Sequence, residues 1–157
     1  MSEVCSERTP LHASFTPTSP VLTRITLPSS SAGMPHRFNV SDAMKATTRI
    51  RPCTIGAYVL MPDHLHAFVA LDAERVNLSA LMKSLKNVLS KKLRERGVAP
   101  PHWQKGFFDH VLRSQESAGQ KWKYVRENPV RTGLVEHSSE WRYLGEIFAL
   151  DYRVERL

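Results

Sequence analysis

Two histidines at alternate positions, His64 and His66, are the residues in this sequence whose types and spacing most directly suggest chemistry. They lie in the stretch MPDHLHAFVAL, residues 61–71. Side chains two positions apart on a β-strand point to the same face. The pair could therefore present two imidazole nitrogens to one metal ion, while Leu65 packs on the other face and Asp63 fixes a histidine tautomer. The alternative is a pair of half-exposed surface histidines, because a single His-x-His pattern has low specificity.

A tyrosine and an asparagine form the second candidate group. Tyr124 and Asn128 lie four residues apart in KWKYVRENPVRTGLV, residues 121–135, so a helix that ends at the following proline would place them on one face. The alternative is that Tyr124 is a core aromatic residue beside Trp122 and Val125. Four cations surround the tyrosine in sequence: Lys121, Lys123, Arg126 and Arg131.

Together the two groups suggest covalent cleavage of a phosphodiester. The pKa of an unperturbed tyrosine is about 10, so a tyrosine nucleophile needs nearby cations, a base or a metal-polarised phosphate. A divalent ion held by two histidine nitrogens and an oxygen would polarise the phosphate. The phosphotyrosine product keeps the energy of the ester, so a free 3′-hydroxyl can reverse the step and rejoin a strand without ATP.

The charge of the chain indicates a polyanionic partner. The formal net charge is +7 with a pI near 9.7, and residues 79–131 carry 12 basic and 4 acidic residues. Such a concentrated excess suits the phosphates of a nucleic acid, although a solvated helix face is the alternative. Besides the four cations around the tyrosine, the predicted DNA-binding residues are Lys83, Lys86, Lys91, Lys92 and Arg113.

Several classes of protein are disfavoured by composition. No apolar run approaches the roughly 20 residues needed to span a bilayer, and the first ten residues lack the blocks of a signal peptide. Cys5 and Cys53 are too few for a disulfide framework and do not have the spacing of a zinc ribbon. We therefore expect a cytoplasmic protein without a membrane partner.

The pattern of apolar residues predicts one catalytic domain with two flanking segments. Residues 1–36 are rich in Pro, Ser and Thr and are predicted to be flexible, with VLTRITL (21–27) as a degenerate first strand at the edge of the sheet. Residues 37–136 are predicted to form the catalytic domain, and residues 137–157 a C-terminal tail. Within the domain the predicted order is a helix from residue 38, a hairpin of strands 53–61 and 64–71, a helix over 77–97, a strand within 103–114 and a helix over 115–128. The order (β)αββαβα predicts an α+β fold, a ferredoxin-like two-layer sandwich with an antiparallel sheet and helices on one face.

Three motifs taken together resemble a known family. MPDHLHAF, FFDHVLRS and KYVRENPVRTGLV, in this order and at these separations, resemble the single-tyrosine HUH transposases, and best the REP-associated tyrosine transposases. The resemblance covers roughly residues 38–136. The histidine motif alone is weakly specific, whereas its combination with Tyr-x-x-x-Asn-Pro-Val-Arg-x-Gly-Leu-Val is strongly specific. The family normally opens with a strand rich in aromatic and β-branched residues, to which VLTRITL corresponds poorly.

This resemblance implies a Mg²⁺- or Mn²⁺-dependent nuclease and strand transferase that acts on single-stranded DNA hairpins, as a monomer or homodimer. By the family's pattern, Tyr124 is the nucleophile, His64 and His66 are metal ligands, and Asn128 is the third ligand. One alternative is a catalytically silent nucleic-acid-binding protein of the same fold. Another is an RNA-binding ferredoxin-like domain, which usually displays stacking aromatics where this strand has histidines.

Overall fold

The structure of the protein, a computed structural model, describes residues 20–27, 39–72, 74–112 and 115–150. In these ranges five β-strands and four α-helices follow one another as β1 (Val21–Thr26), α1 (Val40–Ile50), β2 (Cys53–Leu60), β3 (His64–Leu71), α2 (Leu78–Glu95), β4 (Phe108–Val111), α3 (Gln115–Arg126), α4 (Asn128–Arg131) and β5 (Leu144–Glu146). The predicted α+β order is confirmed, with α4 and β5 as additions. Within these ranges, no helix is long and apolar enough to cross a membrane.

The strands form one antiparallel sheet in the order β4-β1-β3-β2-β5. The prediction of an edge position for residues 21–27 is wrong, because β1 pairs with β3 on one side and with β4 on the other. In β1, Val21, Thr23 and Ile25 are buried and alternate with half-buried residues, as expected of a strand between two layers. The sheet therefore extends beyond residues 37–136 on both sides, through β1 and β5. Apart from residues 20–27, the segment 1–36 lies outside the described residues.

One face of the sheet is covered by α1 and α2. The odd-numbered residues of β3, including Leu65 and Val69, pack in one core cluster with Met44 of α1 and with Leu81 and Leu85 of α2. The apolar stripe of α2 supplies this contact, and the helix ends before Gly97, whose φ of 76° is readily adopted by glycine. The predicted helix, stripe and C-terminal glycine are confirmed.

The other face of the sheet is covered by α3. Phe68, which shares its face of β3 with the two histidines, packs against Ala118 and Trp122, with ring centroids of Phe68 and Trp122 5.9 Å apart. Val125 packs beside them on Val59. Helices α1 and α2 therefore lie on one face of the sheet, as predicted, whereas α3 lies on the opposite face. Because Ala118, Trp122 and Val125 recur at helical spacing, α3 has its own apolar stripe and needs a sheet face to cover it.

Candidate active site

A tight hairpin positions the two histidines. Strands β2 and β3 are joined by Met61-Pro62-Asp63, and the amide of Met61 donates to the carbonyl of His64 at 2.7 Å. The side chains of His64 and His66 are half-buried and lie on the same face, with ring centroids 4.8 Å apart and ring planes nearly perpendicular. Leu65, between them, is 1% exposed on the opposite face. The predicted hairpin and the predicted division of faces are confirmed.

Asp63 holds the first histidine in a defined orientation. Its Oδ1 lies 2.6 Å from Nδ1 of His64, so the neutral ring carries its proton on Nδ1 and has a lone pair on Nε2. Burial lowers the pKa of His64, and the hydrogen bond to Asp63 partly opposes this effect. Burial, followed by the charges of His64 and Arg24, lowers the pKa of His66 to about 4. Both rings are therefore neutral at pH 7, the form in which imidazole binds a metal.

The histidine pair fits two positions of a divalent metal site. Within the described ranges, Nδ1 of His66 is buried without a hydrogen-bond partner, and an unsatisfied buried nitrogen is an unfavourable feature that a ligand would relieve. The same ranges contain no cluster of three or more His, Cys, Asp or Glu side chains that could hold a metal. Among the described residues, a third ligand would therefore have to be a side chain of another type; water or the substrate could also supply one.

Tyr124 lies on the same side of the sheet as the histidines, because α3 covers that side. The side chain is 62% exposed, whereas its neighbours Trp122 and Val125 make the contacts with the sheet. The interpretation of Tyr124 as a core aromatic residue is therefore wrong. The guanidinium carbon of Arg131 lies 3.9 Å from the centre of the tyrosine ring, which places a cation against the phenol.

Asn128 is separated from the tyrosine helix by a break at Glu127. Helix α3 ends at Arg126, and Asn128 begins the short helix α4, in which Pro129 occupies the first turn. The predicted end of the tyrosine helix before this proline is confirmed to within two residues, but α4 was not predicted; proline is tolerated in its first turn because the missing amide would lack a partner there anyway. The amide oxygen of Asn128 accepts a hydrogen bond from Arg131, the residue that also stacks on Tyr124. Arg131 therefore links the two predicted site residues.

The predicted DNA-binding cations divide between the two layers of the fold. Lys121, Lys123, Arg126 and Arg131 lie on α3 and α4, and Lys83, Lys86, Lys91 and Lys92 lie on α2 across the sheet from the histidines. Lys86 is only half-buried, yet its ammonium donates to the carbonyl oxygens of Gln104 at 2.9 Å and of Gly106. This lysine supports the loop before β4. The predicted contact of Arg113 falls on a residue outside the described ranges.

The sequence did not single out Arg24, which the fold brings beside the histidines. Its position in β1 is in register with His66 of β3 and with Phe108 of β4, so the three side chains share one sheet face. Phe108 itself is 69% exposed. The alternation in VLTRITL indicates that Arg24 lies on the less buried face of its strand. The neighbours of Arg24 on that face follow only from the pairing of the strands.

Comparisons of the sequence identify relatives of the chain. Residues 33–128 match the protein family described as Transposase IS200 like. A candidate REP-associated tyrosine transposase of Haemophilus influenzae is 27% identical in an alignment of length 116 that covers 65% of this chain and 64% of the relative. The REP-associated tyrosine transposase of Escherichia coli K12 is 26% identical over 95 residues, or 60% of this chain and 55% of the relative. The chain thus spans less than two thirds of the length of these curated relatives. The resemblance to REP-associated tyrosine transposases that the motifs indicated is confirmed.

A solved structure has the same fold. It is described as a REP-associated tyrosine transposase bound to a REP hairpin, and it aligns with a TM-score of 0.69 over 100% of this chain and 99% of that chain. The sequence identity is 20%, so this likeness establishes the fold alone. The α+β class and the antiparallel sheet are thereby confirmed.

Proposed function

We propose that this chain, which belongs to the IS200-like transposase family, is a metal-dependent endonuclease and strand transferase for single-stranded DNA. The observation that carries the proposal is the placement of a paired, neutral His64 and His66 on the sheet face that the tyrosine helix covers. A core role would not need two polar rings on a strand, and a structural tyrosine would not be 62% exposed.

Tyr124 acts as the nucleophile in this proposal. Its phenol oxygen attacks the phosphorus of a phosphodiester, the Tyr–O–P bond forms, and the bond to the 3′-oxygen breaks. The phenol loses its proton, and the leaving 3′-oxygen gains one to become a hydroxyl. The guanidinium of Arg131, against the ring, stabilises the negative charge that develops on the phenol. The same groups run the step in reverse when a 3′-hydroxyl attacks the phosphotyrosine.

His64 and His66 would hold Mg²⁺ or Mn²⁺, which supplies Lewis-acid polarisation of the scissile phosphate when bound. Asp63 fixes the orientation of the His64 ring for this role. We assign Asn128 as the third ligand. Its amide oxygen accepts from Arg131, so it must exchange that hydrogen bond when it turns to the metal. Imidazole and amide ligands favour Mn²⁺ in affinity, whereas Mg²⁺ is the more available ion.

We propose a single-stranded DNA hairpin as the substrate. The solved relative with this fold is described as bound to a REP hairpin. Three cations of α3 and α4 are exposed, Lys123, Arg126 and Arg131, and Arg131 lies against the ring of Tyr124, so this group suits the phosphates next to the cleavage point. The lysines of α2 lie on the far face of the sheet, so they would contact a more distant part of the hairpin, such as its stem.

Covalent capture tests the proposal. The full chain is incubated with a fluorescent hairpin carrying single-stranded flanks and with Mn²⁺, and a denaturing gel is scanned for DNA that migrates with the protein. We expect a covalent band that disappears with EDTA and in His64→Ala and His66→Ala. Cleaved DNA without any protein-linked product would indicate a water-activating nuclease and contradict the tyrosine mechanism.

A catalytically silent DNA-binding protein is the second candidate function. It is favoured by the bond between Asn128 and Arg131, which occupies the proposed third ligand, and by the lack of a three-residue His, Cys, Asp or Glu cluster within the described ranges. The same experiment separates the two candidates, because a silent protein would shift the hairpin in a native gel and leave it intact in the denaturing gel.

A further inference from the structure

Arg24 occupies the sheet position next to the second histidine. In the antiparallel register Arg24 lies opposite His66 on β3 and opposite Phe108 on β4, so the three side chains form a row on the face that carries the histidines. The guanidinium carbon of Arg24 lies 5.7 Å from the centre of the Phe108 ring. The aromatic ring at the edge of the sheet thus lies on one side of the arginine and the proposed metal site on the other.

The charge of Arg24 has no anionic partner in the part of the chain that the structure describes. The two ion pairs formed there, His64 with Asp63 and Lys92 with Glu95, involve other residues. The Nε atom of Arg24 is buried and makes no hydrogen bond in the same part of the chain. A buried Nε without a hydrogen bond is unfavourable, because the protein excludes water from this nitrogen without offering it an acceptor. Such an arrangement is expected where a ligand supplies the missing anion.

We propose that Arg24 binds the phosphate group that is cut, with its guanidinium directed at the non-bridging oxygens, and that Phe108 is its positioning residue. This inference rests on the proposed function of the site. The planar guanidinium suits a phosphate because two parallel N–H donors match two oxygens. The ring of Phe108 holds the guanidinium through its face and, being 69% exposed, also presents a surface on which the adjacent base can stack.

The binding test uses Arg24→Gln and Arg24→Lys, measured by fluorescence anisotropy with a single-stranded hairpin oligonucleotide in EDTA. The loss of one phosphate contact in a single strand lowers the slope of log affinity against log salt by about 0.7. We expect this reduction in Arg24→Gln and little change in Arg24→Lys. The matched control is Arg49→Gln, which removes the same charge from an exposed residue of α1, across the sheet. An equal slope in Arg24→Gln and wild type, or an equal reduction in both Gln variants, would overturn the proposal.

The cleavage test follows the rate of covalent product at saturating DNA and Mn²⁺. The loss of a donor that stabilises transition-state charge is expected to slow the reaction by about 10²-fold in Arg24→Gln, with partial activity in Arg24→Lys and full activity in Arg49→Gln. Equal rates in Arg24→Gln and wild type would exclude contact with the phosphate that is cut. If wild type itself gives no covalent product, the proposed function fails, and the salt slopes still decide whether Arg24 binds phosphate.

Phe108 is tested by exchange of its ring. Phe108→Ala is expected to weaken hairpin binding and slow cleavage, whereas Phe108→Tyr, which keeps the aromatic face, restores both. The melting temperature should hardly move in either variant, because the ring is mostly exposed. Full binding and cleavage in Phe108→Ala would remove Phe108 from the site, and failure of Phe108→Tyr to rescue would contradict positioning by the aromatic face.

Discussion

Tyr124→Phe removes one oxygen from an exposed ring, and its effects on stability and on chemistry should therefore separate completely. With 62% of the side chain exposed, the phenol oxygen is not a buried group whose hydrogen bond must be replaced. The contact of the ring with Arg131, at 3.9 Å, survives because phenylalanine keeps the aromatic face. Substitutions of this kind usually change the free energy of unfolding by less than about 0.5 kcal/mol. For a chain of 157 residues, that corresponds to a shift in melting temperature of about 1–2 °C.

The chemical effect should be total. Phenylalanine has no oxygen to attack phosphorus, so the covalent protein–DNA band should vanish while the affinity for the hairpin in EDTA stays the same. Tyr58→Phe is the matched control, because Tyr58 is a half-buried residue of β2 packed against the core, where burial raises its pKa. This control should keep the covalent band. Mass spectrometry of the DNA-linked peptide should locate the attachment at Tyr124.

Two results would refute this reasoning. A covalent band that persists in Tyr124→Phe, or attachment at another tyrosine, would remove Tyr124 as the nucleophile. A fall in melting temperature of more than about 4 °C, which corresponds to more than about 1 kcal/mol, would show that the phenol oxygen is needed by the fold. The loss of the covalent band would then not be evidence for a chemical role.

Four further sets of substitutions test other parts of the structure. His64→Ala and His66→Ala should abolish cleavage and the Mn²⁺-dependent rise in melting temperature, while most hairpin affinity remains because phosphate contacts dominate it; an equal loss of binding and cleavage would indicate a structural role for the pair. Lys86→Met should lower stability by about 1 kcal/mol, because the carbonyls of Gln104 and Gly106 lose their donor, whereas Lys83→Met on the exposed side should leave the melting temperature unchanged. Lys91→Gln combined with Lys92→Gln should weaken binding to all sequences alike and reduce the salt slope, and an unchanged slope would exclude these lysines from the DNA surface. Burial raises the pKa of the Cys53 thiol from 9.0 to about 11, so the folded state favours the neutral thiol. The free energy of unfolding should therefore fall as pH rises from about 9 through 11, and Cys53→Ala should flatten that part of its pH dependence.

Local periodicity was sufficient to predict the elements that carry their own signal. The alternation His64-Leu65-His66 assigned the two faces of β3 correctly, because the side-chain period of a strand is fixed by its backbone. The apolar stripe of α2 and its terminal Gly97 likewise predicted a helix that packs by one face. Both patterns lie within single elements, so they can be interpreted without knowledge of which other segments pack against them.

Periodicity could not predict which segments pair or which residues are left exposed by pairing. Phe108 is an aromatic residue of the kind that often lies in a core, but β4 is one of the two edge strands of the sheet and all four of its residues are exposed. Lys86 has the composition of a solvated cation, but the loop before β4 folds back over α2 and brings two carbonyls to its ammonium. For both residues, the position in the fold decides the environment of the side chain against its local preference.

The position of β1 links the weakest part of the sequence pattern to the strongest candidate site. This strand is the only connection between β4 and the rest of the sheet, as the described residues show. It also pairs with β3, the strand that carries the two histidines. The hydroxyl of Thr23 donates to the carbonyl of Ala67, one residue after His66, at 3.0 Å. Without β1, β3 would have an open edge, β4 would have no partner, and Arg24 would not lie beside His66. A segment that departs from the family's usual first strand therefore still completes the sheet on which the site is built.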